Sequence, residues 1–370
     1  MEDQVSLWLV LALAYLFEFS NGWTDAPNSI ATVVSTRVLR PLQAVAMAGV
    51  LNLLGALSGT AVAKTIASGI VDADFVSLNT IAAAVLAATV WALGAQYLGL
   101  PSSESHALVA GLLGAGYAAG GFPALEWEGT RKSLIGLVTS PVGGFFIALL
   151  LMVAIYRIFA KTRPTVVRRF FGKAQIGSAA FMAFSHGAND AQKTMGIIAL
   201  AIVLNDAGTG ASAPEEFDIA FWIVISAAIV MGLGTMVGGW RVVKTIGLRL
   251  TKLEPVHGFA AETGAAAVIF GAAQVGIPVS TTHAIGSAIM GVGATERLSA
   301  VRWGVAQQVV TAWILTWPSC ALLGYALESS FKRVQPELVI IAVIGLSTAL
   351  WTRGSLRRQK EEAARFGAPA

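Results

Sequence analysis

Two stretches of this chain carry no charged side chain over more than the length of a membrane crossing. They run from Phe75 to Ser103 and from Thr263 to Thr295, whereas a helix needs about 20 apolar residues to cross the hydrocarbon core of a bilayer. Similar apolar runs recur along the sequence, and only 12% of its residues are charged, against roughly 25% in soluble domains. The sequence therefore predicts an all-α polytopic membrane protein, surrounded by lipid, with roughly 10–12 membrane segments.

The basic residues cluster in short segments, and the strongest cluster is residues 161–173 near the middle of the chain. Such clusters are typical of cytoplasmic loops, so we expect this loop on the cytoplasmic side of the inner (plasma) membrane. The clustering also argues against nucleic acid as a partner, despite a net charge of +4. The predicted organisation is an N-terminal repeat (1–160), a basic cytoplasmic linker (161–175), a C-terminal repeat (176–330), and a terminal helix with a basic tail (331–370).

An internal repeat is the most informative pattern in the chain. Matches in the same order at a nearly constant offset indicate a duplication, and an odd number of crossings between the copies would invert them in the membrane. The runs 105–121 and 282–294 are short and rich in glycine, which predicts broken helices or re-entrant helical hairpins within two inverted repeats. The matched pairs are Phe19–Ala26 with Phe184–Ala191, Lys64–Ile66 with Lys244–Ile246, and Pro101–Ala107 with Pro278–Ala284.

The first repeated motif places Asn21, Asp25 and Asn28 on one face of a helix, because they are four and three residues apart. Pro27 removes a backbone donor, so we expect a kink or unwinding that frees carbonyl groups. A carboxylate, two amides and free carbonyls form an oxygen-rich site suited to a hard cation such as sodium. The alternative, that Asp25 ends the first spanning helix and faces water, stays open.

The second copy of this motif contains Asn189 and Asp190 and lies inside a long apolar stretch. An ionisable residue within a span is costly, so it indicates a functional role. Asp190 and Lys193 are three residues apart and could form an ion pair, which would be a purely structural explanation for both. His186 alone is a weak signal, because a lone histidine in an apolar segment is usually a hydrogen-bonded core residue.

The second repeated motif is a proline followed by hydroxyl residues, a pattern typical of a helix start. Hydroxyls and unpaired backbone N–H groups at a helix N-terminus form an anion site, and two related copies would present two such termini to one anion. An ordinary capped turn at the membrane surface is the alternative. The candidate anion ligands in these motifs are Ser102, Ser103, Ser105, Ser280, Thr281 and Thr282.

The paired aspartates favour phosphate over sulfate as the anion. Phosphate still carries a proton at neutral pH and can donate a hydrogen bond to a carboxylate, whereas sulfate would meet repulsion and an unsatisfied acceptor. Asp25 and Asp190 are therefore candidate phosphate ligands as well as candidate cation ligands. Cations bound beside them would balance their charge, which would couple anion entry to a sodium or proton gradient.

At these residues the chain resembles the inorganic phosphate transporter (PiT) family. The similarity extends from about residue 10 to 325. It implies a dimeric transporter with inverted repeats, which binds phosphate and cations in mid-membrane between the repeats and needs no further cofactor. The motifs that carry the resemblance are Asn21–Asn28, Gly187–Lys193, Pro101–His106 and Pro278–His283.

By matching positions, the resemblance implies roles for individual residues. Asp25, Asn28, Asn189 and Asp190 resemble the family's cation and substrate residues, with sodium as the candidate metal, and the six hydroxyl residues resemble its hairpin anion ligands. Asn21 and Glu104 complete the candidate cation-binding set. Two departures stand out: Trp23 and Thr24 replace an Ala-Asn pair found in many members, and Glu104 stands where the second copy has Thr281.

Other functions compete with a phosphate symporter. The same architecture could move sulfate or another oxyanion, and two re-entrant elements could line an anion channel, although intramembrane carboxylates fit alternating access better. No His-x-x-x-His spacing supports a membrane-embedded metal hydrolase built on Asp25, Asp190 and the motif histidines, and no Gly-x-x-x-x-Gly-Lys loop supports an ATP-driven pump. We therefore expect a transporter rather than an enzyme, with sodium or a proton as the coupling ion.

Overall fold

The computed structural model describes residues 5–208 and 218–349 of the chain. Within these ranges the chain forms 13 helices and no strand. A π-helical turn over Thr245–Arg249 follows α9 directly. In chain order the helices are α1 (Leu7–Ser35), α2 (Pro41–Ala56), α3 (Ala61–Gly69), α4 (Leu78–Leu98), α5 (Glu104–Gly120), α6 (Trp127–Ile158), α7 (Pro164–Gly208), α8 (Phe221–Val237), α9 (Trp240–Lys244), α10 (Pro255–Gln274), α11 (Thr281–Glu296), α12 (Trp303–Phe331) and α13 (Pro336–Ala349).

Four helices of the described chain, α4, α6, α10 and α12, are long and apolar enough to cross a membrane. The number rises to six if each bent pair is one span, since α2 and α3 meet at 68° and α8 meets the α9 segment at 58°. Only 28% and 33% of the apolar windows of α6 and α12 are buried, against 78% and 61% for α4 and α10. We infer that α6 and α12 face lipid, while α4 and α10 line the interior.

The same order of elements occurs twice. A long helix, a bent pair, an interior helix, a short helix and a lipid-facing helix follow each other in α1–α6 and again in α7–α12. The two lipid-facing helices each contain an internal proline, Pro141 in α6 and Pro318 in α12. The predicted all-α fold with broken helices is therefore confirmed. The remaining predicted segments are either short helices or the long α1 and α7, which carry buried polar residues.

Each repeat packs its helices mainly against those of the other repeat. The short helix α5 lies against α12, and its counterpart α11 lies against α6. Helices α2 and α8 are equivalent in the same way: α2 packs on α7, and α8 packs on α1. The interfaces thus come in matched pairs, as a two-fold relation between the repeats requires.

Glycines allow the backbones of these exchanged pairs to approach closely. A Cβ atom at Gly55 of α2 would lie 2.0 Å from the carbonyl oxygen of Phe184 in α7. At the matched contact between α8 and α1, a Cβ at Gly234 would lie 2.3 Å from the carbonyl oxygen of Phe19. Small residues at helix crossings are typical of membrane proteins, where close backbone packing stabilises association.

The apolar core is divided into two clusters. One contains α1 up to Phe17 and α7 from Ala191 onward, and the other contains α1 from Ile30 onward and α7 up to Ala183. The middle parts of α1 and α7, between these clusters, carry the buried polar residues of the first repeated motif. The fold therefore holds a polar layer between two apolar ones.

The starts of α5 and α11 have the same local geometry. Gly99 (φ 72°) and Gly276 (φ 68°) follow the preceding helices in the left-handed region, which glycine adopts without steric cost. Ser103 and Ser280 then act as N-caps, since each hydroxyl accepts a hydrogen bond from the backbone N–H three residues on, at 3.3 and 3.2 Å. The motif Gly-x-Pro-x-Ser thus ends one helix and starts the next.

The basic segment expected as a loop is mostly helical. Helix α7 begins at Pro164, where the fixed φ of proline and its missing N–H suit the first helical turn. The expected loop 161–173 is therefore helical from residue 164 onward. The division of the chain at a linker (161–175) and its cytoplasmic position stay predictions. Helix α13 provides the predicted terminal helix, while the predicted basic tail at residues 350–370 lies outside the described residues.

The unwinding expected at Pro27 does not occur, because α1 continues helically through it to Ser35. The proline ring packs instead against the entry to α9. A Cβ at Gly239 would lie 2.8 Å from the Pro27 ring and 2.9 Å from the carbonyl oxygen of Trp23. This oxygen is the acceptor that Pro27 leaves without a helical donor.

Candidate functional site

The two aspartates of the first repeated motif lie together in the middle of the protein. Asp25 in α1 and Asp190 in α7 are 4% and 0% exposed. Single oxygen atoms of these carboxylates and a ring nitrogen of His186 all lie within 4.8 Å of one another. The alternative that Asp25 ends its helix and faces water is therefore wrong.

The start of α11 joins both carboxylates. The Thr281 hydroxyl lies 3.4 Å from Asp25 Oδ2 and 3.2 Å from Asp190 Oδ2, so it can donate to either. The Thr282 hydroxyl lies 3.1 Å from Asp25 Oδ1. Asn28 donates to both hydroxyls, at 3.0 and 2.9 Å. The second proline motif is therefore a buried element of the site, not a capped turn at the surface.

The start of α5 approaches Asp190 through Lys193. The Lys193 ammonium lies 2.7 Å from Asp190 Oδ1 and also donates to the Ser105 hydroxyl. Ser105 in turn donates to the carbonyl oxygen of Val279 at 2.8 Å, and Asn189 donates to the same oxygen at 3.0 Å. The expected Asp190–Lys193 ion pair exists, and it links α7 to both proline motifs.

The two proline motifs also meet directly. The rings of His106 and His283, one turn into α5 and α11, have centroids 4.7 Å apart. Both residues are 1% exposed. The N-termini of α5 and α11 therefore converge on one region, as an anion site built from two helix starts requires.

The polar layer holds more buried acid than base. Glu18, Asp25, Glu104 and Asp190 are each at most 4% exposed, and Lys193 is the only lysine buried to this extent among the described residues. The Glu104 carboxylate accepts from the Thr24 hydroxyl at 2.9 Å, and Glu18 accepts from a threonine hydroxyl of α7. Because neutral hydroxyls do not cancel these charges, protons or bound cations must do so.

Several amide oxygens near the aspartates have no hydrogen-bond partner in the described chain. They are Oδ1 of Asn21, Asn28 and Asn189, and all three side chains are buried. Oxygen atoms that accept no hydrogen bond beside a carboxylate are the ligands that a hard cation takes. The residues present therefore fit the predicted cation site.

All sequence-predicted site residues are buried, and most belong to one hydrogen-bonded network. Outside it, the Ser103 and Ser280 hydroxyls cap α5 and α11. Glu104 pairs with Thr24 and with Ser102, at 2.9 and 3.5 Å, and Asn21 lies beside Glu18. A cavity of about 340 Å³ exists elsewhere, beside Tyr156 and His257 near the start of α10, and contains none of the candidate ligands. The candidate site is thus defined by convergent side chains rather than by this cavity.

Sequence reasoning missed two buried glutamates. Glu18 lies two helical turns before Asp25, and Glu262 in α10 accepts hydrogen bonds from Thr32, Ser178 and Gln175. Both are isolated acids inside apolar runs, and this signal alone could have identified them. The role of His186 was also underestimated, since its ring lies between Asp190 (3.3 Å) and the Asn52 side chain (3.0 Å).

Comparison with known proteins agrees with this geometry. A family model described as the phosphate transporter family matches residues 21–168 and, a second time, residues 160–324. The chain belongs to the phosphate transporter family. The two matches correspond to the two repeats, and membership confirms the resemblance inferred from the motifs.

Similar proteins extend over nearly the whole length of the chain. A probable low-affinity inorganic phosphate transporter of Rhizobium meliloti is 47% identical over 316 residues, which cover 85% of this chain and 93% of the relative. A Bacillus subtilis protein of the same description is 42% identical, with coverage of 85% and 94%. These relatives are named transporters, which supports a transport role rather than an enzymatic one for this membrane protein.

A solved structure described as "the sodium-dependent phosphate transporter" has the same fold. It matches with a TM-score of 0.79 and 27% identity, and the match covers 89% of this chain and 99% of that one. The predicted polytopic architecture is therefore confirmed at the level of the fold.

Proposed function

We propose that this chain is a secondary active transporter that imports inorganic phosphate together with a sodium ion or a proton. The observation that carries the proposal is the convergence of Asp25 and Asp190 on the Thr281 hydroxyl. Membership of the phosphate transporter family and the names of the relatives support phosphate as the cargo.

The chemistry of the site suits a protonated oxyanion. Hydroxyls and helix N-termini from α5 and α11 offer hydrogen bonds to the anion's oxygens. The carboxylates of Asp25 and Asp190 offer acceptors to its remaining proton. A fully deprotonated oxyanion such as sulfate would find these acceptors unsatisfied and repulsive.

The excess of buried acid supports cation coupling. Bringing an anion to Asp25 and Asp190 adds negative charge to a site that is already acidic, so the anion's affinity rises when a cation binds first. The unpartnered amide oxygens of Asn21, Asn28 and Asn189 provide ligands for such a cation. The solved relative is itself described as sodium-dependent.

The proposal includes the membrane arrangement. The two repeats are inverted, the site alternates between the two sides of the plasma membrane, and the basic segment 161–173 faces the cytoplasm. The chain acts as a homodimer. The exchanged packing of α5 with α12 and of α11 with α6 supports the two-fold relation between the repeats.

The test is phosphate uptake into proteoliposomes, with sodium and pH gradients imposed separately. We expect uptake to follow one of the two gradients, to resist competition by sulfate, and to be lost in Asp25→Asn and Asp190→Asn, since neither amide keeps the charge that the cation balances. Both variants should still purify as folded protein.

Three outcomes would count against the proposal. Normal transport by either variant would remove its assigned role, and equal competition by sulfate would indicate a general oxyanion permease. Flux independent of both gradients, with single-channel currents, would indicate a channel.

A further inference from the structure

Asn28 and Lys193 occupy equivalent positions in the two repeats. Each lies three residues after the aspartate of its motif, in segments that align without a gap. Their contacts are also equivalent, because Asn28 donates to Thr282 and Lys193 donates to Ser105. These two hydroxyl residues each immediately precede the histidine of their own proline motif.

The two aspartates nevertheless differ in charge compensation. Asp190 has the Lys193 ammonium 2.7 Å from Oδ1, inside a site where both side chains are 0% exposed. Asp25 forms no ion pair with a lysine or arginine in the described chain; its partners are the hydroxyls of Thr281 and Thr282. In the described chain, one carboxylate of the site therefore has an ammonium in direct contact, and the other has hydroxyl groups in its place.

We propose that the Lys193 ammonium occupies the place of a second inorganic cation, so that each transport cycle takes up one inorganic cation fewer than a symmetrical site would. This inference rests on the proposed symport function. In the first repeat, Asp25 and Asn28 bind the transported cation. In the second, Lys193 supplies the positive charge permanently and holds Asp190 to the start of α5.

A second exchange at the same site fits this assignment. Glu104 stands at the position equivalent to Thr281, and it is 1% exposed. Relative to the equivalent pair of Asn28 and Thr281, the pair of Lys193 and Glu104 adds one positive and one negative charge. The formal charge of the whole site is therefore the same as in a symmetrical arrangement, even though its cation positions are not.

Two other roles for Lys193 give different predictions. If its ammonium binds phosphate, replacing it weakens phosphate binding and leaves the sodium dependence unchanged. If it is only a buried ion pair, its removal leaves an uncompensated carboxylate that no added ion relieves. Only a tethered cation predicts that an inorganic cation can take over its function.

The decisive variant is Glu104→Thr/Lys193→Asn, which gives both repeats the same residues and keeps the formal charge of the site. Phosphate uptake at fixed pH rises with some power of the sodium concentration. In proteoliposomes, we expect this exponent to be greater by one for the variant than for the unaltered chain. Below saturation, a tenfold reduction in sodium should then lower its uptake about tenfold more than that of the unaltered chain. Purified variant protein should also gain a thermal stabilisation by sodium chloride that choline chloride does not give.

The matched control is Glu104→Thr/Lys193→Met, which removes the ammonium without offering a ligand oxygen and should gain no sodium dependence. An Asn variant whose sodium dependence equals that of the unaltered chain, or which stays inactive or unfolded in saturating sodium, overturns the proposal. Failure of the symport function is distinguishable, because it would appear as absent gradient-driven uptake by the unaltered chain. The sodium-stabilisation measurement on purified protein needs no phosphate and stands apart from that outcome.

Discussion

At the scale of single residues, the Thr281 hydroxyl is the group that contacts the aspartates of both repeats. It lies within 3.4 Å of one carboxylate and 3.2 Å of the other, and it also accepts a hydrogen bond from Asn28. A hydroxyl can exchange its donor between two acceptors by rotation alone. Thr281 can thus donate its hydrogen bond to whichever of the two carboxylates is charged.

Replacing this hydroxyl by a methyl group tests its role. Thr281→Val keeps the shape of the side chain, but it leaves Asn28 and both carboxylates with one partner fewer. Hydrogen bonds to charged groups contribute about 1.5–3 kcal/mol, so we expect phosphate uptake to fall about tenfold or more in proteoliposomes. Thr281→Ser keeps the hydroxyl and should retain most of the uptake. Equal uptake by the valine and serine variants would show that the hydroxyl has no part in transport.

The candidate ligands could be found from the sequence, but their partners could not. Duplication identified Asp25, Asp190 and the hydroxyl residues, because each occurs in both copies. Glu18 and Glu262 have no equivalent acid in the other repeat, so the duplication did not mark them. The cross-helix contacts of Glu262 with α1 and α7 depend on packing that local sequence does not encode.

At the scale of helices, close backbone contact between the repeats depends on small residues at defined positions. Gly55 is such a position, since any side chain there would meet the carbonyl oxygen of Phe184 at 2.0 Å. The helix α7 that carries this carbonyl also carries Asp190. Separation of α2 from α7 would therefore move one of the two carboxylates.

Gly55→Ala is expected to destabilise the protein by about 1–3 kcal/mol, the usual range for overpacking a tight interface. Thermal unfolding of the purified protein in detergent measures this as a lowered midpoint. Gly94→Ala in α4 is the matched control, because a Cβ there would meet nothing within 4 Å. If both variants unfold at the temperature of the unaltered protein, α2 and α7 tolerate more separation than the structure implies.

Helix type was easier to predict than helix extent. Apolar runs and the short glycine-rich segments identified the broken helices, because lipid leaves helices as the main way to satisfy the backbone. The length of α7 was missed, since the charged residues after Pro164 resemble a loop in composition. These charges lie on a mostly exposed helical turn instead.

At the scale of the whole molecule, inversion of the repeats makes a prediction about sidedness. The connection before α4 and the connection before α10 are equivalent, and they contain the exposed Phe75 and the exposed Lys252. If the repeats are inverted, these two connections lie on opposite sides of the membrane.

Single cysteines test this arrangement. In a Cys320→Ala background, Phe75→Cys and Lys252→Cys should react with a membrane-impermeant maleimide from opposite sides of sealed vesicles of known orientation. Cys320 itself is buried, so it should label little, and its removal eliminates the residual labelling. Labelling of both positions from the same side would show that the repeats are parallel.

The exchange of packing partners between the repeats has a consequence for biogenesis. Helix α5 is synthesised well before α12, the helix that covers it. Until then, the hydroxyl-rich start of α5 has no protein partner on that side, and lipid cannot satisfy its polar groups. Completion of the site is therefore a late step in assembly, dominated by contacts between distant parts of the chain.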